Sequence, residues 1–564
     1  MLTVVGGSYG AAPVNTVAPA VTGTATVGST LTTTNGTWTG APAPTFTYQW
    51  FRSPSTSIGG ATSSSYVLVI GDRGFGIFCR VKATNTIAPS GVTADSNTTA
   101  AVTSVPDAPT IGTATSTGST TATVAFTQPA NNGGATITSY TATSSPSGIT
   151  GTLNQAGSGT ITVTGLAAST SYTFTVTATN AVGTSAASSA SNSITTDVAR
   201  QLWVSGRNNQ GQLGLSSSVA YNYSSPMQVG TLTNWSVTDG GEQFTAAVKT
   251  DGTLWTWGRN NSGQLGLGNS GAPYRYSSPK QVGALTSWLK INAGYAFALS
   301  VKTDGTLWAW GQNDSWGNLG LGNRTTYSSP KQVGALTTWA DVSAAAGGNS
   351  SMGVSTGGTL FTWGRNVYGQ LGLGNVTDYS SPKQVGASTA WSKISMGSSS
   401  SAAIKTDGTL WTWGANFSGV LGLGDATIPP VYNNRSSPVQ VGALTTWSQI
   451  SANGGGHMLA VKTDGTLWAW GSGYFGNLGL GNTTNYSSPK QVGALTAWSK
   501  VSGNNNFSIA LKTNGTLWTW GRNNVGQLGQ NNLTNLSSPV QVGALTTWLT
   551  VSAGQDWLLV TKST

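Results

Sequence analysis

The stretch TDGTLWTWGRNNSGQLGLGN, residues 250–269, decides how the chain is read. Its glycines admit a phosphate-loop reading, with four residues between Gly258 and Gly263. A phosphate loop next needs Lys and Ser/Thr, to reach the phosphates and the magnesium. Gln264 and Leu265 stand there instead, so the nucleotide reading is set aside. What remains is a hairpin. Two apolar segments, AAVK and LWTW, flank Asp251-Gly252, a pair that tolerates the positive φ of a tight turn.

The hairpin recurs. LWxWG or a variant begins at Leu202, Leu254, Leu307, Leu360, Leu410, Leu467 and Leu517. G-x-L-G follows from Gly211, Gly263, Gly317, Gly369, Gly419, Gly476 and Gly526. Ser-Ser-Pro and QVG come next, then a tryptophan at 235, 288, 339, 391, 447, 498 and 548. Seven units, each with room for four short strands, predict a seven-bladed β-propeller. Only six units carry their turn intact. The seventh hairpin is split between QLWVSG (201–206) and DWLLVTK (556–562), whose pairing would close the ring and leave no open sheet edge.

This segment resembles the regulator-of-chromosome-condensation repeat family, which combines an Ala-Leu strand, a D-G turn, a W-G strand and a G-Q-L-G phrase. The family's G-x-x-H survives once, at GGGHMLAV (454–461); the other repeats carry Phe244, Phe297, Ser350, Ser400, Phe507 and Trp557. The resemblance implies the propeller fold. The family's action on a small GTPase and on chromatin is not carried over, because no repeat has a long wedge-like insertion and there is no basic tail.

Ahead of the repeats, composition shifts near 102–109 and 194–200 mark two further domains. Residues 1–103 resemble an immunoglobulin-like sandwich: Trp50 matches the strand-C tryptophan and Asp72, Gly74 and Cys79 the stretch before strand F. Leu31 stands near the missing first cysteine, so no inter-sheet disulfide is expected. Residues 104–197 resemble a fibronectin type III domain, with Phe126 at the usual tryptophan position and Tyr172 as its corner tyrosine. The expected fold class is all-β: two β-sandwiches, then a seven-bladed β-propeller over 198–564. The layout suggests a stalk carrying a recognition domain, in an extended row.

Charged residues make up 7% of the 564, yet 23 Trp, 16 Tyr and 12 Phe supply apolar area for packed cores. The formal net charge of +10 sits largely in repeated columns, Lys249, Lys302, Lys405, Lys462 and Lys512, then Lys280, Lys331, Lys383 and Lys490. These read as solubilising, and no basic run marks a nucleic-acid groove. One cysteine and one histidine, Cys79 and His457, leave no donor set for zinc and no Ser-His-Asp set, so no metal or cofactor is expected. Acids outside the turns, among them Glu242, Asp314, Asp341, Asp378, Asp425 and Asp556, show no pairing in sequence, and the chain is expected not to be an enzyme. MLTVV is too short for a secretory signal and no segment is long enough to span a membrane as a helix.

Binding residues are sought where the repeats differ. The loops between G-x-L-G and Ser-Ser-Pro should gather on one side of the disc, rich in Tyr, Asn and Arg. The candidate ligand contacts are Tyr221, Tyr223, Tyr274, Arg275, Tyr276, Tyr432 and Arg435. The functional expectation is a bacteriophage virion protein, a fibre or capsid decoration. Its N-terminal region would meet other virion proteins and its propeller loops a host-surface glycan or protein. Homo-oligomer formation is left open, and no nucleic acid or membrane insertion is expected. The alternative is a secreted or surface-anchored bacterial adhesin, and after it a polysaccharide-acting enzyme.

Overall fold

The computed structural model describes residues 10–216, 221–270, 274–313, 315–345, 347–425 and 433–564. Strands and short 3-10 turns account for all regular structure among them. The chain forms two compact units, Met1–Asp197 and Val198–Thr564.

In the first unit, one sheet orders Thr56–Ser57, Thr45–Arg52, Ile77–Thr84 and Val92–Asp95. A second orders Val21–Thr22, Thr30–Thr33 and Ser65–Val67. Trp50 lies in register opposite Cys79, and both pack with Leu31 in one fully buried cluster. Cys79 is a free thiol, pushed up to about 11 chiefly by burial. Asp72 is buried and satisfied threefold: the Arg52 Nε, the Tyr66 hydroxyl and the Val69 N–H all donate to it at 2.8 Å. The following sandwich pairs Thr110–Ser116, Thr121–Thr127 and Gly159–Thr164 against a four-stranded sheet centred on Ile137–Ser145 and Ser171–Asn180. Phe126 packs 4.3 Å, centroid to centroid, from Tyr140. Tyr172 is the corner tyrosine: Ala167 N–H donates to its hydroxyl at 3.0 Å.

The second unit is seven four-stranded antiparallel sheets. Blade one comprises Trp235–Gly240, Phe244–Lys249, Leu254–Arg259 and Arg275–Gln281, and blades two to six repeat the order. Blade seven is composite. Trp548–Ala553 and Trp557–Ser563 come from the end of the chain, Arg200–Gly206 and Tyr223–Gln228 from the start of the unit. Its central pair runs Trp203 opposite Val560 and Gly206 opposite Trp557, the split hairpin that the sequence predicts.

The phrase D-G-T-L-W has a local cause in every complete copy. Asp251 Oδ1 accepts the N–H and the hydroxyl of Thr253, at 3.0 and 2.6 Å, and Thr253 Oγ1 accepts the Trp255 indole N–H at 2.8 Å. The Thr306 and Thr409 hydrogen bonds hold the matching Asp304 and Asp407 carboxyls below their ordinary range. Gly252 turns with φ +74°, and a Cβ there would collide with the Thr286 carbonyl of the neighbouring crossing.

The second tryptophan of the phrase spans the seam between blades. Trp257, Trp310, Trp363, Trp413, Trp470 and Trp520 are fully buried. Each donates its indole N–H, at 2.8–3.0 Å, to a backbone carbonyl in the G-x-L-G loop of the preceding blade. Gly266 has φ +70° and its Cβ position falls 2.8 Å from Trp310 Nε1, so this glycine is the clearance the indole needs. Blade seven has Ser205 at that position, and the Cβ position of Gly529 in the preceding loop there meets Ser205 Oγ at 3.2 Å and Leu558 Cδ2 at 3.3 Å.

Nearer the centre, side chains at one position of the first strands hold the next blade's backbone. Asp239 accepts Ala293 N–H, Asn292 accepts Ala344 N–H, Ser343 accepts Met396 N–H and Ser395 accepts Ala452 N–H. Asp239 also accepts the Ser552 hydroxyl across the closing seam, at 2.5 Å.

The first lysine column corrects the solubilising reading. Lys249, Lys302 and Lys462 are buried, and Lys302 Nζ sits 3.7 Å from the Trp308 centroid and 4.8 Å from that of Trp288. The alternation of the second strand turns this lysine inward onto two indoles, where a cation over the ring face is favourable. Burial lowers its affinity for the proton in these blades.

Three expectations follow. Deleting 556–564 removes the closing strand and should lower the melting temperature of the propeller by more than ~10 °C; unchanged melting would refute closure by this pairing. Burial raises Asp239 to about 6, so its neutral form is favoured in the fold. The stability it confers is present below the unfolded value near 4 and is lost as pH rises through about 6. Asp239→Asn should abolish that loss and stabilise the protein above pH 7 by about 3 kcal/mol, read as a pH-dependent gap between the two melting curves. His457 has the opposite sign: burial drives it down to about 3. Wild-type stability should therefore fall as pH drops below 6.5, and His457→Phe should flatten that acid limb in urea titrations.

Candidate loop-face binding site

Antiparallel strands place alternate connections at opposite ends of a blade. First-to-second and third-to-fourth connections therefore share one face of the propeller. The Asp-Gly turns and the fourth-to-first crossings share the other. All seven sequence candidates belong to third-to-fourth loops or the strand starts that follow them.

The structure divides these candidates. Tyr221 and Tyr274 are exposed, at 65% and 61%. Arg275 is exposed and donates from Nη1 to Asn209 O of blade seven at 3.2 Å, bridging two blades. Tyr223, Tyr276 and Arg435 stand at one repeated position, opposite the glycine that ends the third strand. Tyr223 and Tyr276 pack half-buried on blade cores, and Arg435 Nη2 pairs with Asp425 at 2.6 Å. Tyr432, like Asp314, lies outside the described residues.

The same face carries a column that the sequence reading passed over. The residue after the W-G or S-G glycine is arginine in four blades: Arg207, Arg259, Arg365 and Arg522. Arg207 pairs with Asp556 at 3.2 Å, Arg522 reaches the same carboxylate at 4.0 Å, and Arg259 lies 3.7 Å from Glu242. Arg365 has no carboxylate among the described residues. Its guanidinium carbon lies 4.9 Å from the Trp316 centroid and 6.0 Å from that of Tyr368. Phe417 meets Tyr368 edge-on at 5.2 Å, and Arg522 lies 5.3 Å from the Phe475 centroid. Trp316, Tyr368, Phe417, Tyr474 and Phe475 thus line an arc over four successive blades, from positions just before G-x-L-G. The signal was available as a column in the repeat alignment, but the aromatic residues differ in identity and shift by a position between copies.

Such a surface is chemically suited to recognition. Planar guanidinium groups stacked on rings are pre-organised to meet carboxylate or amide oxygens. The acids are occupied: Asp425, Asp556 and Glu242 by arginines, Asp341 by Lys290 at 3.1 Å, and Asp378 by Asn366 N–H at 2.7 Å. His457 is enclosed with its Nε2 3.0 Å from Ser508 Oγ. Among the described residues no group of three or more His, Cys, Asp or Glu converges as a metal site.

Comparison with known proteins agrees with this architecture. The chain is similar to the Arabidopsis thaliana ultraviolet-B receptor UVR8, 32% identical over 294 residues, which are 51% of this chain and 64% of that protein. It is 28% identical over 309 residues to the Homo sapiens E3 ubiquitin-protein ligase HERC2, covering 54% of this chain and 5% of that one. The Canis lupus familiaris X-linked retinitis pigmentosa GTPase regulator is 43% identical over 244 residues, 43% of this chain and 23% of its own. The chain thus spans less than two thirds of each of these relatives. Among solved structures, human WBSCR16 superposes with TM-score 0.57 at 21% identity, over 64% of this chain and 100% of that one. Prp20p of Saccharomyces cerevisiae does so with TM-score 0.56 at 16% identity, over 65% and 92%. The fibronectin type III domain model matches 107–194. The model described as regulator of chromosome condensation (RCC1) repeat matches 201–248, 251–301, 304–354, 357–404, 407–461, 464–511 and 514–560. Most of these matches begin at the Asp-Gly turn, so each family repeat takes two strands from one blade and two from the next, and the chain belongs to the RCC1 repeat family.

Proposed function

We propose that the chain is a non-enzymatic binding protein whose propeller recognises a partner macromolecule through the loop face. The observation that carries this is Arg365, stacked against Trp316 and Tyr368 with no carboxylate of its own among the described residues. Tyr221, Tyr274 and Arg275 extend that surface as exposed, chemically versatile contacts. The relatives favour binding over catalysis. The solved yeast protein is described by its binding to Gsp1p and histones, and this chain is similar to only a small part of the HERC2 ligase.

A finer reading sets the chain in a bacteriophage virion, as a fibre or capsid decoration. Its propeller would meet a host-surface glycan or protein, its N-terminal region other virion proteins. Two sandwich-like segments ahead of a propeller, and a chain with only 7% charged residues, favour that reading over a bacterial adhesin. Phage structural genes beside this one would support it, and their absence would end it.

The binding reading is tested with the full chain and a triple variant, Tyr274→Ala, Arg275→Ala and Arg365→Ala. The variant should melt within ~3 °C of the wild type, since all three side chains are at least partly exposed. It should lose at least ~10-fold affinity for the protein or glycan that the wild type retains from a glycan array or a host extract. Equal retention by both proteins would remove the loop face as the binding surface.

A further inference from the structure

The opposite face, with its Asp-Gly turns and crossings, repeats a surface feature that packing does not demand. Six of the seven crossings run V-G-x-L-T and leave a leucine half in water: Leu232, Leu285, Leu336, Leu444, Leu495 and Leu545 are 45–50% exposed. Beneath three of these crossings lie equivalent open slots of about 390, 330 and 330 Å³. The slot at blade two is walled by Trp288, Trp308, Leu285 and Pro330, and Gln281 and Ser329 add an amide and a hydroxyl. The same positions line the slot at Trp447 with Trp468; the slot at Trp548 with Trp203 keeps the apolar walls but takes its polar groups from Gln530 and Asn531.

We propose that these rim slots are saccharide-binding sites, each taking one pyranose unit of a glycan, repeated around the propeller. The proposal deepens the reading of the chain as a binding protein and rests on it, but places the sugar on the rim instead of the loop face.

Three observations carry it. The first is shape: the slots sit at the small end of the roughly 300–1,000 Å³ range of ligand pockets. The second is chemistry. Lys302 covers one side of Trp308, and the rest of that half-buried ring is left to the slot. A pyranose offers C–H groups with slight positive charge on one face, which suit the negative face of an indole, and hydroxyls on its edge, which suit Gln281 and Ser329. A buried indole N–H lies behind the lining of each slot. The indole N–H groups of Trp288, Trp447 and Trp548 have no partner among the described residues, and their rings are at most 4% exposed. In blade six the same N–H donates to the Leu495 carbonyl at 3.2 Å, which locates this donor at the crossing wall of the slot. The third is repetition: the loop-face connections differ in length and sequence from blade to blade, while the half-buried Ser-Ser-Pro, the Gln-Val-Gly with its buried valine and the crossing recur almost unchanged. Weak equal sites in a ring suit a polymer or a coated surface, where linkage multiplies avidity by roughly 10²–10⁴.

The test is saturation-transfer NMR on the full chain with D-glucose, D-galactose, N-acetyl-D-glucosamine and L-rhamnose, each at millimolar concentration. It is repeated on a variant carrying leucine to arginine at the six exposed crossings, which fills the slot mouths without touching the buried tryptophans. At least one sugar should show transfer to its ring C–H protons and quench tryptophan fluorescence, and both signals should fall at least fivefold in a variant that still melts cooperatively. Should the six-site variant fail to fold, single Leu285→Arg and Leu444→Arg variants must each lower the number of sites. No transfer from any of the four sugars overturns the proposal, as does transfer that survives the arginines. Transfer lost instead in the Tyr274→Ala, Arg275→Ala, Arg365→Ala variant would put the sugar on the loop face, upholding the binding protein and ending the rim site. Decaproline binding at the slots with no sugar signal would assign them to extended peptides and also end it.

Discussion

The structure depends on one interaction repeated six times, an indole that crosses a seam to donate its N–H to the neighbouring blade's backbone. A sheet of four short strands has two apolar faces and cannot bury either alone. The second tryptophan of each LWxWG phrase solves this by filling the seam and satisfying its own polar atom at the same time. Each ring buries roughly 150–250 Å², which at about 25 cal/mol/Å² contributes about 4–6 kcal/mol gross. An unpartnered N–H would return part of that gain. The carbonyl it needs lies in the G-x-L-G loop, so the glycines of that loop exist for the sake of a side chain about 45 residues further on.

That dependence explains why the ring can close only once. A blade's third strand bolts to the preceding blade, so the first blade in sequence has no predecessor until the chain returns. The composite seventh blade supplies one, with Trp557 in the second strand and Ser205 where the other blades have the bolt. Asp239 and Ser552 add a polar clasp at the same seam. The family repeat is offset from the blade by two strands. Closure therefore joins the two ends of the repeat array covalently distant but adjacent in the sheet, and the open edge that invites aggregation disappears.

Much of this was legible in the sequence, for a physical reason. Repetition at about fifty residues is covalent, and the Asp-Gly pair demands a turn wherever it falls, so blade number, hairpin register and the split pair follow without coordinates. The buried Trp50 and the corner tyrosine were legible through the spacing of their neighbours. What was not legible depended on which side chains meet across strands. Lys249 and Lys302 look like solvated charges in a low-charge chain, and only the register of the second strand turns them onto indoles. Arg365 could not be told from Arg207 by sequence, since both follow the same glycine. What separates them is whether Asp556 or Trp316 comes round to meet them. Tyr276 read as a binding residue because its loop is long, yet its place opposite Gly258 commits it to the blade.

The two faces then obey different rules. On the loop face the part of each third-to-fourth connection beyond G-x-L-G bears no seam, so its length and composition drift from blade to blade at little cost to the core, and arginine and aromatic residues accumulate where strands end. The crossings on the other face cannot drift in the same way. Each must carry the chain from an outer strand to the next inner one over the Asp-Gly turn, and Gly252 shows how little room that leaves. Geometry accounts for the glycines and the buried valine of the crossing. It does not account for a leucine half exposed to water in six of the seven crossings, beside a groove walled by tryptophan. The core alone does not require a leucine there, as the Ser388 of the remaining crossing shows. The rim thus keeps a repeated, half-exposed apolar surface that the blade cores do not require.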